Sequence, residues 1–228
     1  MELQILPDAQ AVAQKATQII AELAQERIRL TGKFSFAVSG GSTPWKVLRQ
    51  LADAALNWES VELFQVDERI APAGDAQRNL TQITQNLLDH SALSLEQIHA
   101  MPVEQTDIES AAESYAQQLI KLCGNPPQLD LIHLGLGEDG HTASLLPGDP
   151  ARKSQELVTI TREYQGLRRM TMTYPVINAA QRRLWIVTGA NKQSMLERLY
   201  QGDDRIPAGL VERNHAIILA DQNAAGNL

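Results

Sequence analysis

The chain has 228 residues, 43% of them hydrophobic, with a net charge of −7 and a pI near 5.2. That length and apolar content suit one α/β domain with a sizeable core and exclude a disordered chain. The acidic balance argues against a nucleic-acid footprint, which is usually basic, yet leaves room for an anionic small substrate held by a few local cations.

In chain order, a first helix is expected over roughly Asp8–Leu30, with Val12, Ile19, Ile20 and Leu23 on its apolar face and Gly32 just past its end. A strand follows in KFSFAVSGG, then a helix opening at STPWKVLRQLA with Pro44 suited to its first turn. VELFQVDER reads as one strand, NLTQITQNLLDH as a helix and IHAMPV as a short strand. The next helix, TDIESAAESYAQQLIKLC, has Thr106 and Glu109 at capping-box spacing. LDLIHLGLG, LVTIT, RMTMT, RLWIVTG and HAIILA complete the strands, and NKQSMLERLYQG is a helix ending at Gly202. Strands that are nearly continuously apolar and alternate with helices predict a three-layer, mainly parallel sheet with helices on both faces. In such a sheet, ligands bind beyond the carboxyl ends of the strands. Three strands here run into chemically loaded loops: SGGSTP, DER and GLGEDGHTAS.

Each loop has a bland and a sharp reading. GLGEDG matches the dinucleotide pattern G-x-G-x-x-G, but Pro147 and Pro150 limit any following helix to about two turns, and Glu138 and Asp139 would repel a pyrophosphate. A plain glycine turn explains the glycines but not the cluster Glu138, Asp139, His141, Thr142 and Ser144. His141, just past a central strand, is placed to take a proton from water near neutral pH, with Asp139 two residues before it to orient the ring. His90, His99, His133 and His215 show no ligand spacing, so a zinc site is disfavoured. Gly40, Gly41, Ser42 and Thr43 precede a helix amino terminus, where free N–H groups and the helix dipole suit a phosphate. Asp67 is a base or an acceptor for sugar hydroxyls, and Arg69 is a clamp for an anion. Arg169 opens a short strand and Lys192 opens a helix, where a cation opposes the dipole and suggests an anionic partner. No serine has an evident paired base, which disfavours a covalent serine route.

Together, AVSGGSTP, VDERIAP, LGLGEDGHTASLLPG and RRMTMTYPVINAAQRRLWIVTGANK resemble the 6-phosphogluconolactonase family along most of the chain. The ordered combination is far more specific than any one motif. The resemblance implies a Rossmann-like fold shared with glucosamine-6-phosphate deaminase and ribose-5-phosphate isomerase, binding no nucleotide. It implies hydrolysis of 6-phospho-D-glucono-1,5-lactone to 6-phosphogluconate in the oxidative pentose phosphate pathway, with no organic cofactor and no required metal. In that reading His141 is the base, assisted by Asp139 and Asp67; Gly40–Thr43, Arg169 and Lys192 anchor the phosphate; and Arg69 serves either the anchor or the reacting end. Two departures stand out: Arg78-Asn79 where the family usually has Ser-Asn, and Ala71-Pro72 where it has Val-Pro. Arg78 leaves open how the pocket rim is built and is a candidate for a further cation there. The related deaminases carry a glutamate five residues after the histidine, where this chain has Leu146.

Cys123 is the only cysteine, so no internal disulfide forms, and MELQILPDAQ carries no secretory signal pattern. No apolar run approaches the roughly 18–20 residues of a membrane helix. The expectation is a cytoplasmic monomer, one domain over residues 1–228, whose partner is a phosphosugar lactone and neither nucleic acid nor membrane.

Overall fold

A computed structural model describes residues 1–228. Ten strands and seven α-helices run in the order β1 (Glu2–Leu6), α1 (Ala9–Thr31), β2 (Phe34–Val38), α2 (Ser42–Ala52), β3 (Val61–Gln65), β4 (Asp67–Arg69), α3 (Asn79–Asn86), β5 (Ile98–His99), α4 (Ile108–Cys123), β6 (Leu131–Leu134), β7 (Val158–Ile160), β8 (Arg169–Met172), α5 (Tyr174–Ala179), β9 (Arg183–Val187), α6 (Gln193–Gln201), β10 (Ala216–Asp221) and α7 (Gln222–Ala225). Seven strands form one parallel sheet in the order β1-β10-β9-β6-β2-β3-β5. The other three form a small antiparallel sheet, β4-β8-β7.

The central strands β2, β6 and β9 are buried along their whole length because both faces are covered. Along β2, Phe34, Phe36 and Val38 point into a core shared with Val12, Ile20, Val47, Leu48 and Ile83, so α1, α2 and α3 lie on that face. Ala37 points the other way. Along β9 the same alternation sends Leu184 and Ile186 to the first core, and Trp185 and Val187 to a second one with Tyr115, Val176 and Leu196. That second core also takes Val158, Met170 and Met172 from the small sheet. Period-two alternation between two packed faces is what a helix-covered parallel sheet requires. No helix is long and apolar enough to cross a membrane.

Several expectations are corrected. VELFQVDER is two strands, because the chain leaves the main sheet at Val66. There the Val66 N–H donates to Val38 O at 2.9 Å while its carbonyl accepts from Met172 N–H at 2.8 Å, one bond to each sheet. IHAMPV pairs only over Ile98–His99, and the helix from Asn79 ends at Asn86, followed by a single 3-10 turn. The cap of α4 is Asp107, whose carboxylate accepts from the Ser110 N–H at 3.1 Å, in place of Thr106. β1, an edge strand of mixed exposure, had no apolar pattern to reveal it. α1 begins and ends as expected, with Asp8 capping it and Gly32 in the left-handed region at φ 80°.

Candidate active site

The carboxyl ends of β2, β6 and β9 meet the small sheet across a cleft of about 770 Å³. All ten expected site residues line it: Gly40, Gly41, Ser42, Thr43, Asp67, Arg69, Asp139, His141, Arg169 and Lys192.

His141 is held by the loop that follows β6. Its Nδ1 lies 2.6 Å from Asp139 Oδ1, and its backbone N–H donates to the same oxygen at 3.1 Å. Burial works to raise the Asp139 pKa, but the backbone bond, the charge and the ring bond of His141 outweigh it and hold the carboxyl below its usual value. An ionised carboxylate accepts only, so Nδ1 carries a proton, and in the neutral ring Nε2 is then the nitrogen with the free lone pair. The loop closes on itself through Gly137 N–H to His141 O at 2.8 Å. A Cβ at Gly137 would stand 2.1 Å from His141 Nδ1 and 2.7 Å from Asp139 Oδ1, so the ring–carboxylate contact occupies the space a side chain would need. No α-helix follows this loop; a bridge between Thr142 and Leu145 and a 3-10 turn at Pro150–Lys153 take its place. The dinucleotide geometry is therefore absent even though the glycine spacing matches.

The small sheet supplies the second wall. Asp67 and Arg69, two residues apart on β4, share one face, and Arg169 stands directly opposite Arg69 on β8. Arg169 is buried, and burial first, then the Arg69 charge, lowers its pKa. Its guanidinium sits 5.0 Å from the centroid of the Tyr164 ring, and that ring meets His141 edge-on at 5.9 Å. Lys192 faces the cleft from the chain segment after β9. The structure's ion pairs involve none of Arg69, Arg169 and Lys192. Three cations without a salt-bridge partner, beside the amino terminus of α2, give this end of the cleft the charge to hold an anion.

The Gly40–Thr43 loop begins at Ser39, whose N–H donates to His133 Nδ1 at 3.2 Å and whose hydroxyl donates to His133 O at 3.1 Å. Burial pushes the His133 imidazole down to about 3, so it remains neutral and accepts. Thr43 lines the cleft, but its hydroxyl is tied to Thr188 Oγ1 at 2.7 Å.

Several contacts and residues of the site carry little or no signal in the sequence. Ser144, fully buried, donates from Oγ to Asp67 Oδ2 at 2.6 Å. A serine does therefore have a carboxylate partner, although it is not a cleft-lining residue. Tyr164 and Gln165 form the tip of the β7–β8 hairpin over the cleft, with Gln165 and Gly166 in the left-handed region at φ 54° and 82°. The signal available was Q-G between two short strands. Glu138 accepts from Asn191 Nδ2 at 2.6 Å, joining two lining loops. Arg78 is not at the rim: it is buried behind β4, its Nε 3.5 Å from Glu68 Oε2, and it also pairs with Glu104. No group of three or more His, Cys, Asp and Glu side chains is arranged to hold a metal ion.

Comparison with known proteins places this geometry among relatives. A family model described as glucosamine-6-phosphate isomerases/6-phosphogluconolactonase matches residues 7–219. The chain is 32% identical over 235 residues to a 6-phosphogluconolactonase of Synechocystis sp., covering 100% of this chain and 98% of the relative. Its fold is similar to the crystal structure of 6-phosphogluconolactonase from Thermotoga maritima, with TM-score 0.85, 24% identity, and coverage of 96% and 98%. It is also similar to a monomeric glucosamine-6-phosphate deaminase, with TM-score 0.85, 20% identity, and 99% of each chain covered.

Proposed function

The chain belongs to the glucosamine-6-phosphate isomerase/6-phosphogluconolactonase family, and within it we infer that this protein is a 6-phosphogluconolactonase. It hydrolyses 6-phospho-D-glucono-1,5-lactone to 6-phosphogluconate, a step of the pentose phosphate pathway. The observation that carries the mechanism is the Asp139–His141 pair in one cleft with three cations, Arg69, Arg169 and Lys192, that form no salt bridge.

The substrate phosphate docks between the α2 amino terminus, Arg169 and Lys192. Binding energy gathered there, remote from the reacting carbon, positions the lactone ring. His141 Nε2 takes a proton from water as the water oxygen bonds to C1. The carbonyl electrons move onto oxygen, giving a tetrahedral oxyanion that needs nearby donors. When the carbonyl reforms, the C1–ring oxygen bond breaks, and His141 returns its proton to the departing oxygen. Asp139 fixes the ring tautomer and stabilises the imidazolium while it exists. Asp67 and Arg69 are assigned to the reacting end, Asp67 as acceptor for a sugar hydroxyl and Arg69 as a fixed positive charge.

Leu146, where the related deaminases carry a glutamate, is buried in this chain, which disfavours deamination. We further propose that residues 1–228 act as one domain and as a cytoplasmic monomer. The single cysteine, Cys123, leaves no internal disulfide, which suits a reducing compartment.

The test is a direct lactonase assay on purified protein, corrected for spontaneous hydrolysis, with glucosamine-6-phosphate as the comparison substrate. Enzyme-dependent ring opening is expected, with no ammonia released from the amino sugar. Deamination without lactone hydrolysis overturns the reading.

A further inference from the structure

We infer that Asn79 is a positioning residue that sets the Arg69 guanidinium in the cleft and acts only through it. The inference rests on the reading of the cleft as a phosphosugar lactone site. Asn79 is buried, does not line the cleft, and opens α3. Its amide is the junction of three segments of the site. Nδ2 donates to Asp67 O at 2.8 Å and lies 3.4 Å from Asp67 Oδ1. Oδ1 accepts from Arg69 Nη1. The first contact is with acceptors only and the second with a donor, so a flipped amide would oppose both and the orientation is fixed by chemistry. The third segment is the phosphate loop, packed so closely that a Cβ at Gly40 would lie 2.2 Å from Asn79 Oδ1 and 3.0 Å from Arg69 Nη1.

The amide is itself held from behind. Strand alternation on β4 turns Asp67 and Arg69 to the cleft and sends Glu68 into the interior. There the Glu68 carboxylate, fully buried, accepts from the N–H groups of Asn79 at 2.7 Å, Leu80 at 2.8 Å and Arg69 at 2.8 Å, and from Gln65 Nε2 at 2.8 Å. It caps α3 at the residue whose side chain reaches forward. Arg78 supplies the compensating charge. The chain of fixed groups therefore runs from Glu68 to Asn79 to Arg69. Without the Asn79 carbonyl, nothing else in the structure hydrogen-bonds the Arg69 guanidinium, and the neighbouring Arg169 repels it.

A double-mutant cycle tests this. Asn79→Ala and Arg69→Ala are made singly and together, and each protein is assayed for kcat, KM, 6-phosphogluconate affinity and melting temperature. Asn79→Ala is expected to lower kcat/KM by about tenfold or more while the protein stays folded, and to cost less than about twofold in the Arg69→Ala background, the non-additivity of residues acting as a unit. Equal losses in both backgrounds, or no loss in either, overturn the inference. If Asn79→Ala does not fold, Asn79→Ser takes its place in the cycle. If neither folds, Asn79 serves stability alone and the inference fails. A parent protein that binds 6-phosphogluconate without opening the lactone sinks the functional reading instead, and the same cycle on affinity still decides the role of Asn79.

Discussion

Arg69 and Arg169 stand directly opposite each other across β4 and β8, two like charges in cross-strand register with no carboxylate paired to either. Such a pair destabilises a sheet unless an anion lies between or beside the two groups. Saturating 6-phosphogluconate, at a hundred times its Kd, is expected to raise the melting temperature by roughly 5–10 °C. Arg169→Ala and Lys192→Ala each weaken binding by roughly 1–3 kcal/mol, read as a smaller shift at the same ligand concentration and directly by calorimetry. Variants that bind as tightly as the parent would remove both residues from the phosphate anchor.

His141→Asn is expected to keep the fold and the affinity for 6-phosphogluconate while turnover falls by about 10²–10⁴-fold above the spontaneous background. If kcat stays near normal and only stability drops, His141 merely braces its loop, and Asp67 becomes the candidate base.

Gly137→Ala tests the same dyad through space. A Cβ there collides with His141 Nδ1 and Asp139 Oδ1, so the ring must swing away from its carboxylate. Turnover should drop toward that of His141→Asn with phosphate-end affinity retained. Normal kinetics in Gly137→Ala would show that the 2.6 Å contact is dispensable.

His133 makes stability depend on pH with a definite sign. Its folded pKa, pushed down to about 3, lies below the ordinary 6.5 of the unfolded chain. Between those values the unfolded state binds more protons, so the contribution is fully present above pH 6.5 and is lost as the pH falls toward 3. In all it is on the order of 4–5 kcal/mol. His133→Leu should lower stability near neutrality, since the Ser39 N–H loses its acceptor, yet flatten the decline of melting temperature in acid. An unchanged acid slope would show that another group controls it.

The layered fold and the three loops could be read from the chain because they rest on local signals: apolar runs, glycines at strand ends, and a helix-ending glycine at Gly32. What stayed hidden depends on distant pairing. Val66 carries no mark of leaving one sheet for another, since valine is itself a strand former and no glycine or proline stands beside it. Ser144 and Asn79 reach Asp67 across 77 and 12 residues of sequence, and no spacing rule links them. Nothing in the sequence marks Arg78 as buried, because buried arginine is rare, and its burial is made tolerable by two distant carboxylates, Glu68 behind β4 and Glu104.

The crossing at Val66 also determines how the protein tolerates insertions and deletions. One residue, hydrogen-bonded to both sheets, sets the phase of β4, and side chains on a strand alternate faces. Adding or deleting a single residue between Gln65 and Asp67 would rotate the whole strand by one face. Glu68 would then project into the cleft as a carboxylate facing an anionic substrate, while Asp67 and Arg69 turned into the interior and left the amino terminus of α3 uncapped. The residues either side of Val66 are therefore fixed in number. The count of amino acids there, more than their identity, is what lineages descended from this chain must preserve.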